Sequence, residues 1–85
     1  MGKNKLQKII DTYDGHKFYT PDGFDDAVIG IEDKSMRLIY SVSKCINILI
    51  EGGMTTEDAI DYFTYNVEGS YIGVETPIWC EDYFI

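Results

Sequence analysis

Apolar residues recur with helical spacing from Ser41 to Gly69, and this stretch predicts two helices joined by a sharp turn. The first helix places apolar side chains at i, i+3, i+4, i+7 and i+8, which share one face: Val42, Cys45, Ile46, Leu49 and Ile50. Ser41 is the expected cap at its start. Gly52 and Gly53 are expected to end it, because glycine readily adopts the left-handed conformation found at helix ends.

The second helix is expected to begin at Thr55 or Thr56, either of which can cap it, and to end at Gly69. Glu57 and Asp58 fall in its first turn, where the helix dipole favours negative charge. Its predicted apolar face consists of Ala59, Ile60, Phe63 and Val67. These two helices form an αα-hairpin around which the rest of the chain is predicted to pack.

Two shorter patterns lie before this hairpin. Asn4 to Tyr13 predicts a helix, since apolar residues fall on one of its faces. Strand-forming residues from Ala27 to Glu32 and from Met36 to Ser41 predict a β-hairpin with a three-residue connection. Alternation assigns one face of the first strand to Ala27, Ile29 and Ile31, and one face of the second to Met36, Leu38 and Tyr40.

After the helices, Ser70 to Thr76 is an irregular link, Pro77 to Glu81 predicts an edge strand, and Asp82 to Ile85 is a short tail. The order α-β-β-α-α-β predicts an α+β fold in one domain spanning residues 1–85. We expect a small, mainly antiparallel three-stranded sheet, backed by the αα-hairpin and the N-terminal helix.

Small size and one misplaced apolar residue predict self-association. A chain of 85 residues buries a limited core, so oligomerisation would stabilise it. Ile48 projects away from the apolar face of its helix, which predicts that a second element or another subunit covers it. We therefore expect a homodimer or a larger homo-oligomer.

Charge divides the chain into two halves. Up to Lys44 there are seven basic and seven acidic residues, whereas from Cys45 onwards there are eight acidic residues and no lysine or arginine. The net charge of −8 therefore arises in the second half. A nucleic-acid binder needs the opposite sign, so direct binding to DNA, RNA or anionic lipid is disfavoured.

The cysteines and the hydropathy indicate a cytosolic protein. No apolar run approaches the roughly 20 residues that cross a bilayer, and no signal peptide is evident. Cys45 lies on an apolar helix face and Cys80 in an apolar strand. A disulfide between them is disfavoured in a reducing compartment.

No residue pattern predicts catalysis, a metal or a cofactor. His16 is the only histidine and lies on a turn without a partner motif, which favours a solvated residue over a general base. Asp22, Asp25 and Asp26 form the densest carboxylate cluster, but it lacks the glycine position and closing glutamate of a calcium loop. We expect these aspartates to have turn and capping roles.

The outer surface of the second helix is the strongest candidate for function. We call it the acidic face, and it consists of Glu57, Asp58, Asp61, Tyr62, Tyr65 and Glu68. Tyrosines give contact area at low entropic cost and carboxylates steer cations, so this face suits a basic protein partner. Glu75, Glu81, Asp82 and Tyr83 would extend it. The plainer interpretation is a solvated acidic surface that keeps the protein soluble.

From about Phe24 to Trp79 the chain resembles small proteins encoded by tailed bacteriophages. The resemblance is carried by the Gly23–Gly30 run, Tyr40, Lys44 to Ile46, Leu49, Gly53 to Thr55, Glu57, Ala59, Tyr62, Phe63, Asn66, Val67, Gly69, Tyr71, Gly73, Thr76 and Pro77. It implies a phage early protein that acts in the cytoplasm of an infected bacterium. It implies no catalytic residue.

Three hypotheses of function follow. The first is a non-enzymatic protein that binds and inhibits or modulates host or phage machinery, most naturally a nucleic-acid-handling or CRISPR-type defence protein. The inhibitory role is what the resemblance implies, by analogy with small acidic phage proteins such as anti-CRISPR and DNA-mimic proteins. The alternative is a small-ligand (nucleotide) sensor or sponge formed at an oligomer interface. The third is an enzyme using Asp25 or Asp26 with His16. Binding through the acidic face should weaken steeply with salt, whereas binding in an apolar pocket should not.

Overall fold

The computed structural model describes residues 4–70 and 73–83. The elements within these ranges are α1 (Lys5–Thr12), a 3₁₀ turn (Asp25–Ala27), β1 (Val28–Glu32), β2 (Arg37–Ser41), α2 (Val42–Glu51), α3 (Thr56–Tyr62), a π-helical segment (Phe63–Glu68) and β3 (Ile78–Cys80). This order confirms the predicted α+β class. The predicted link and tail extend into residues 71–72 and 84–85, which lie outside the described residues.

Helix α1 forms where predicted and packs against β1. The Asn4 side chain caps it by accepting a hydrogen bond of 2.8 Å from the backbone N–H of Gln7. Leu6 is buried in the core and Ile9 packs at its margin, whereas Ile10 is exposed. Only part of the predicted apolar face of α1 is therefore used.

The β1–β2 pair is antiparallel, but its predicted faces are partly wrong. Ala27 lies in the 3₁₀ turn, not in the strand. An irregularity between Val28 and Gly30 lets Val28 lie opposite Tyr40 and Ile31 opposite Leu38. A bulge inserts one residue into a strand and so shifts which side chains face the core. Strict alternation cannot hold across it.

The connection between these strands has four residues, one more than predicted. Met36 adopts a left-handed conformation (φ 58°) and donates a hydrogen bond of 2.8 Å from its backbone N–H to the carbonyl oxygen of Glu32. The Glu32 carboxylate accepts from the backbone N–H groups of Lys34 and Ser35. These bonds lower the pKa of Glu32 and close the turn.

The three strands form one mixed sheet in the order β1-β2-β3. β3 pairs with β2 in parallel, with Ile39 opposite Ile78 and Ser41 opposite Cys80. A parallel pair needs a crossover connection, and here α2, α3 and the π-helical segment supply it. The chain between β2 and β3 therefore covers the sheet with the αα-hairpin.

The αα-hairpin has the predicted caps. Ser41 caps α2 and Thr55 caps α3. Each side-chain oxygen accepts a hydrogen bond of 3.1 Å from the backbone N–H of the residue three positions later. At the end of α2, Gly53 has φ 115°, and the N–H groups of Gly53 and Met54 bond to the carbonyls of Ile50 and Leu49. This is a Schellman motif, and it sets the sharp turn between the helices.

Of the residues that the structure describes, eleven buried apolar ones form the core between the sheet and the helices: Leu6, Phe24, Ala27, Val28, Leu38, Tyr40, Val42, Cys45, Ile46, Ala59 and Phe63. Trp79 of β3 lies at the margin of this core, 5.3 Å from the ring of Tyr40 and 5.4 Å from the ring of Phe63. Ile48 also packs against the core within a single chain. The described ranges contain no helix with the length and apolar character needed to cross a membrane.

Candidate protein-binding surface

All six residues of the acidic face have exposed side chains. Tyr65 is 78% exposed and lies among the acidic residues, while Tyr62 is 43% exposed. Thr55 and the first turn of α3 present Glu57 and Asp58 at the N-terminal end, where their charge complements the helix dipole. The predicted residues are thus brought together on one surface.

No basic side chain of the described residues pairs with this surface. Within residues 4–70 and 73–83, the four carboxylates of the acidic face form no salt bridge. Arg37 instead donates from Nε to the carbonyl oxygen of Thr76, at 2.6 Å, beside the sheet. The acidic face is therefore free to attract a cationic partner.

A groove of about 480 Å³ runs along one side of the acidic face, between α2 and the helix that follows. We call it the apolar groove; the apolar side chains that line it are Val42, Ile46, Ile50, Ile60 and Phe63. Glu68, Glu81 and Tyr83 also line it and add polar groups. An apolar groove with acidic margins suits a segment that carries both apolar and basic side chains.

Ile60 corrects the predicted apolar face of the second helix. Ala59 and Phe63 are buried as predicted, but Ile60 is 44% exposed. It faces the gap between α2 and α3, because Ala59 and Phe63 occupy the side of the helix that meets the core. Ile60 therefore belongs to the surface and not to the core.

A second cavity, the aromatic cleft, lies on the opposite side of the acidic face. It measures about 180 Å³. Its aromatic lining comes from the loop before β1, from α3 and from β3: Tyr19, Phe24, Tyr62 and Trp79. Asp22 also lines the cleft. Tyr62 belongs to both the acidic face and this cleft, so the two surfaces are continuous.

The tail after β3 is held differently from the prediction. Asp82 was expected to extend the acidic face, but its carboxylate accepts hydrogen bonds from the Ser41 hydroxyl and the Ser43 backbone N–H. The bond from the Ser41 hydroxyl is the main cause of a lowered pKa of Asp82; burial opposes it, and the bond from the Ser43 backbone N–H adds a smaller lowering. Asp82 thus fixes the tail, while its neighbours Glu81 and Tyr83 line the apolar groove.

The residues considered for catalysis lie in the loop before β1 and in its 3₁₀ turn. His16 packs its ring 4.6 Å from the ring of Phe18, and Asp26 accepts a long 3.5 Å contact from the Asn4 side chain. Asp25 and Asp26 begin the 3₁₀ turn. In the part of the chain that the structure describes, no three His, Cys, Asp or Glu side chains are placed to hold a metal ion.

Both cysteines are free thiols. Cys45 is fully buried, and this burial raises the pKa of its thiol to about 12, with a smaller contribution from Asp82. A thiol with such a pKa is a poor nucleophile at neutral pH. Cys45 therefore serves as a small apolar core residue, as its position on the helix face predicts.

Among residues 4–70 and 73–83, two buried side-chain polar atoms have no hydrogen-bond partner there: the Tyr40 hydroxyl and the Trp79 indole nitrogen. Burial also raises the pKa of Tyr40, so its hydroxyl stays protonated. Both rings pack against each other beside the aromatic cleft. The two rings are therefore packed in an arrangement that leaves these two polar atoms without a hydrogen bond.

Comparison of the chain with protein-family models, with curated proteins and with solved structures gives no match.

Proposed function

We propose that this protein is a non-enzymatic binding module whose acidic face recognises a basic protein. The single observation that carries the proposal is that Asp58 and Asp61 pair with no described basic side chain and lie beside the exposed ring of Tyr65. Carboxylates of this kind accelerate association with a cationic surface, and a central aromatic side chain slows dissociation. The apolar groove beside the face supplies further contact area.

The class of partner follows from charge and from the resemblance to tailed-phage proteins. A surface whose charged residues are all acidic competes well for grooves that normally hold nucleic acid, because those grooves are basic. This supports a nucleic-acid-handling or CRISPR-type protein of the infected bacterium as the target. The protein would inhibit or modulate it in the bacterial cytoplasm.

A small apolar ligand is the second candidate, and the apolar groove favours it. Its volume of about 480 Å³ falls within the roughly 300–1,000 Å³ of small-molecule sites. The groove exists within one chain, so such a ligand would not require an oligomer interface. Ile60 would then contact the ligand instead of a protein partner.

Capture of partners from infected host lysate, followed by measurement of the purified complex at rising salt, tests the proposal. Affinity should fall steeply as salt rises if the acidic face carries the contact, since screening shortens the range of the charges. An affinity that is independent of salt, with a small molecule co-purifying, would favour the second candidate. Failure to bind any basic protein would refute the first.

A further inference from the structure

Four aromatic rings and one carboxylate converge on the aromatic cleft from separate parts of the chain. Tyr19, Asp22 and Phe24 come from the loop before β1, Tyr62 from α3 and Trp79 from β3. Tyr19 and Tyr62 keep 39% and 43% of their surfaces exposed, so the cleft opens to solvent. The Tyr19 and Tyr62 rings are therefore accessible to a ligand.

The size and charge of the cleft limit what it can hold. A volume of about 180 Å³ is smaller than a typical small-molecule site and suits a single small functional group. Among the described lining residues, Asp22 alone carries a formal charge, and it is negative. The adjoining acidic face adds further negative potential through its exposed carboxylates. The negative potential therefore disfavours an anion in the cleft.

We propose that the aromatic cleft binds an organic cation, the guanidinium or ammonium group of an arginine or lysine side chain. Aromatic faces attract such cations through their quadrupole, and tryptophan does so most strongly. Asp22 at the same cleft supplies the opposite charge. A basic partner bound to the acidic face inserts this cation into the cleft. The source of the cation therefore rests on the proposed function, whereas the affinity of the cleft for a cation does not.

The test uses small cations, so it needs no partner protein. The chain has one tryptophan, and its indole N–H signal in a proton–nitrogen NMR spectrum reports on the cleft. The ligands are backbone-blocked arginine and lysine, choline, and dimethylbutanol, the uncharged carbon analogue of choline. Each titration is run at constant ionic strength.

The cations should shift the indole signal saturably, and choline should bind about fivefold more tightly than its neutral analogue. Asp22→Asn should weaken binding of the cations but not binding of the analogue. Tyr62→Leu keeps an apolar side chain but removes the aromatic face, so it should also weaken binding of the cations. Tyr13→Leu is the matched control, because Tyr13 lies at the end of α1, lines neither the cleft nor the acidic face, and should change binding of neither the cations nor the analogue.

Equal affinities for choline and its analogue would reduce the cleft to an apolar crevice and overturn the proposal. So would the absence of any saturable shift with the cations. If choline bound but blocked arginine and lysine did not, the occupant would be a free ammonium compound and the side-chain assignment would be wrong. Cation binding without any basic protein partner would refute the proposed function alone.

Discussion

The Ser41 hydroxyl and the Asp82 carboxylate are hydrogen-bonded, and this contact joins the end of β3 to the start of α2. The same hydroxyl accepts from the Lys44 backbone N–H, so one serine caps the helix and holds the tail. Ser43 donates to the second carboxylate oxygen of Asp82. A negative charge at the N-terminus of α2 is favourable, since the helix dipole is positive there.

Asp82→Ala should therefore lower the free energy of unfolding by about 1–2 kcal/mol near neutral pH. The pKa of Asp82 is lower in the folded chain than its usual value. Its contribution is thus present above the unfolded pKa of about 4 and is lost as the pH falls through the lower, folded value. Denaturant unfolding at about pH 7 and about pH 2 should show the difference between wild type and variant shrinking with acid.

Glu81→Ala is the control for this variant. Glu81 is exposed and adjacent in sequence, and no described residue gives it a hydrogen bond. The Glu81→Ala variant should have a free energy of unfolding within about 0.5 kcal/mol of wild type. If Asp82→Ala behaved like Glu81→Ala at both pH values, the tail contact would contribute nothing to stability.

Phe63→Ala should lower the free energy of unfolding by roughly 3–5 kcal/mol, which is a large part of the stability of a small domain. Phe63 is only 2% exposed and meets the Trp79 ring edge-on at 5.4 Å. Tyr65→Ala, two residues on but 78% exposed, is the matched control and should leave the melting temperature almost unchanged. Similar melting temperatures for the two variants would show that the helix faces are assigned wrongly.

The αα-hairpin could be predicted because its signals are local. Ser41 and Thr55 each cap the helix that follows, and Gly53 takes the left-handed conformation that ends α2. Each depends on residues within one or two helical turns. Sequence periodicity was also sufficient to place Phe63 in the core and Tyr65 in solvent.

The features that sequence could not give depend on long-range packing. Ile60 lies on the apolar stripe of its helix, but periodicity does not show that a gap remains between α2 and α3 there. The shift after Val28 breaks the alternation that assigned the strand faces. The aromatic cleft joins Tyr19 to Trp79, and no local pattern relates residues so distant in sequence.

Ile60→Ser should weaken binding of the partner about tenfold without lowering stability. Ile60 is 44% exposed in the apolar groove, so an apolar group of the partner can bury it. Val74→Ser is the matched control, since Val74 is 86% exposed and does not line the groove. Calorimetric titration of both variants gives the affinities, and thermal melts verify that each is folded.

Light scattering of the same pair tests the predicted homo-oligomer. If a second copy occupied the apolar groove, Ile60→Ser should convert the oligomer to a monomer while Val74→Ser should not. A wild-type monomer at micromolar concentration would show that the prediction of self-association is wrong. The packing of Ile48 against the core of its own chain already weakens one of the two arguments for it.

The acidic face makes the most direct prediction, because its charges and its aromatic ring should act on different rate constants. Replacing Asp58 and Asp61 with Asn should slow association with the partner and flatten its salt dependence, since these carboxylates act at long range. Tyr65→Ala should speed dissociation by an amount equivalent to about 1–2 kcal/mol, because the ring acts only in the bound complex.

Stopped-flow or surface-based kinetics over a series of salt concentrations separates these two effects. Asp14→Asn is the control for the loss of charge, since Asp14 is an exposed carboxylate at the end of α1 and lies in the neutral half of the sequence. It should leave the association rate close to wild type. If the double Asn variant and Tyr65→Ala both bound at wild-type rates, the face would be only a solvated surface, because neither its charge nor its aromatic ring would contribute to recognition.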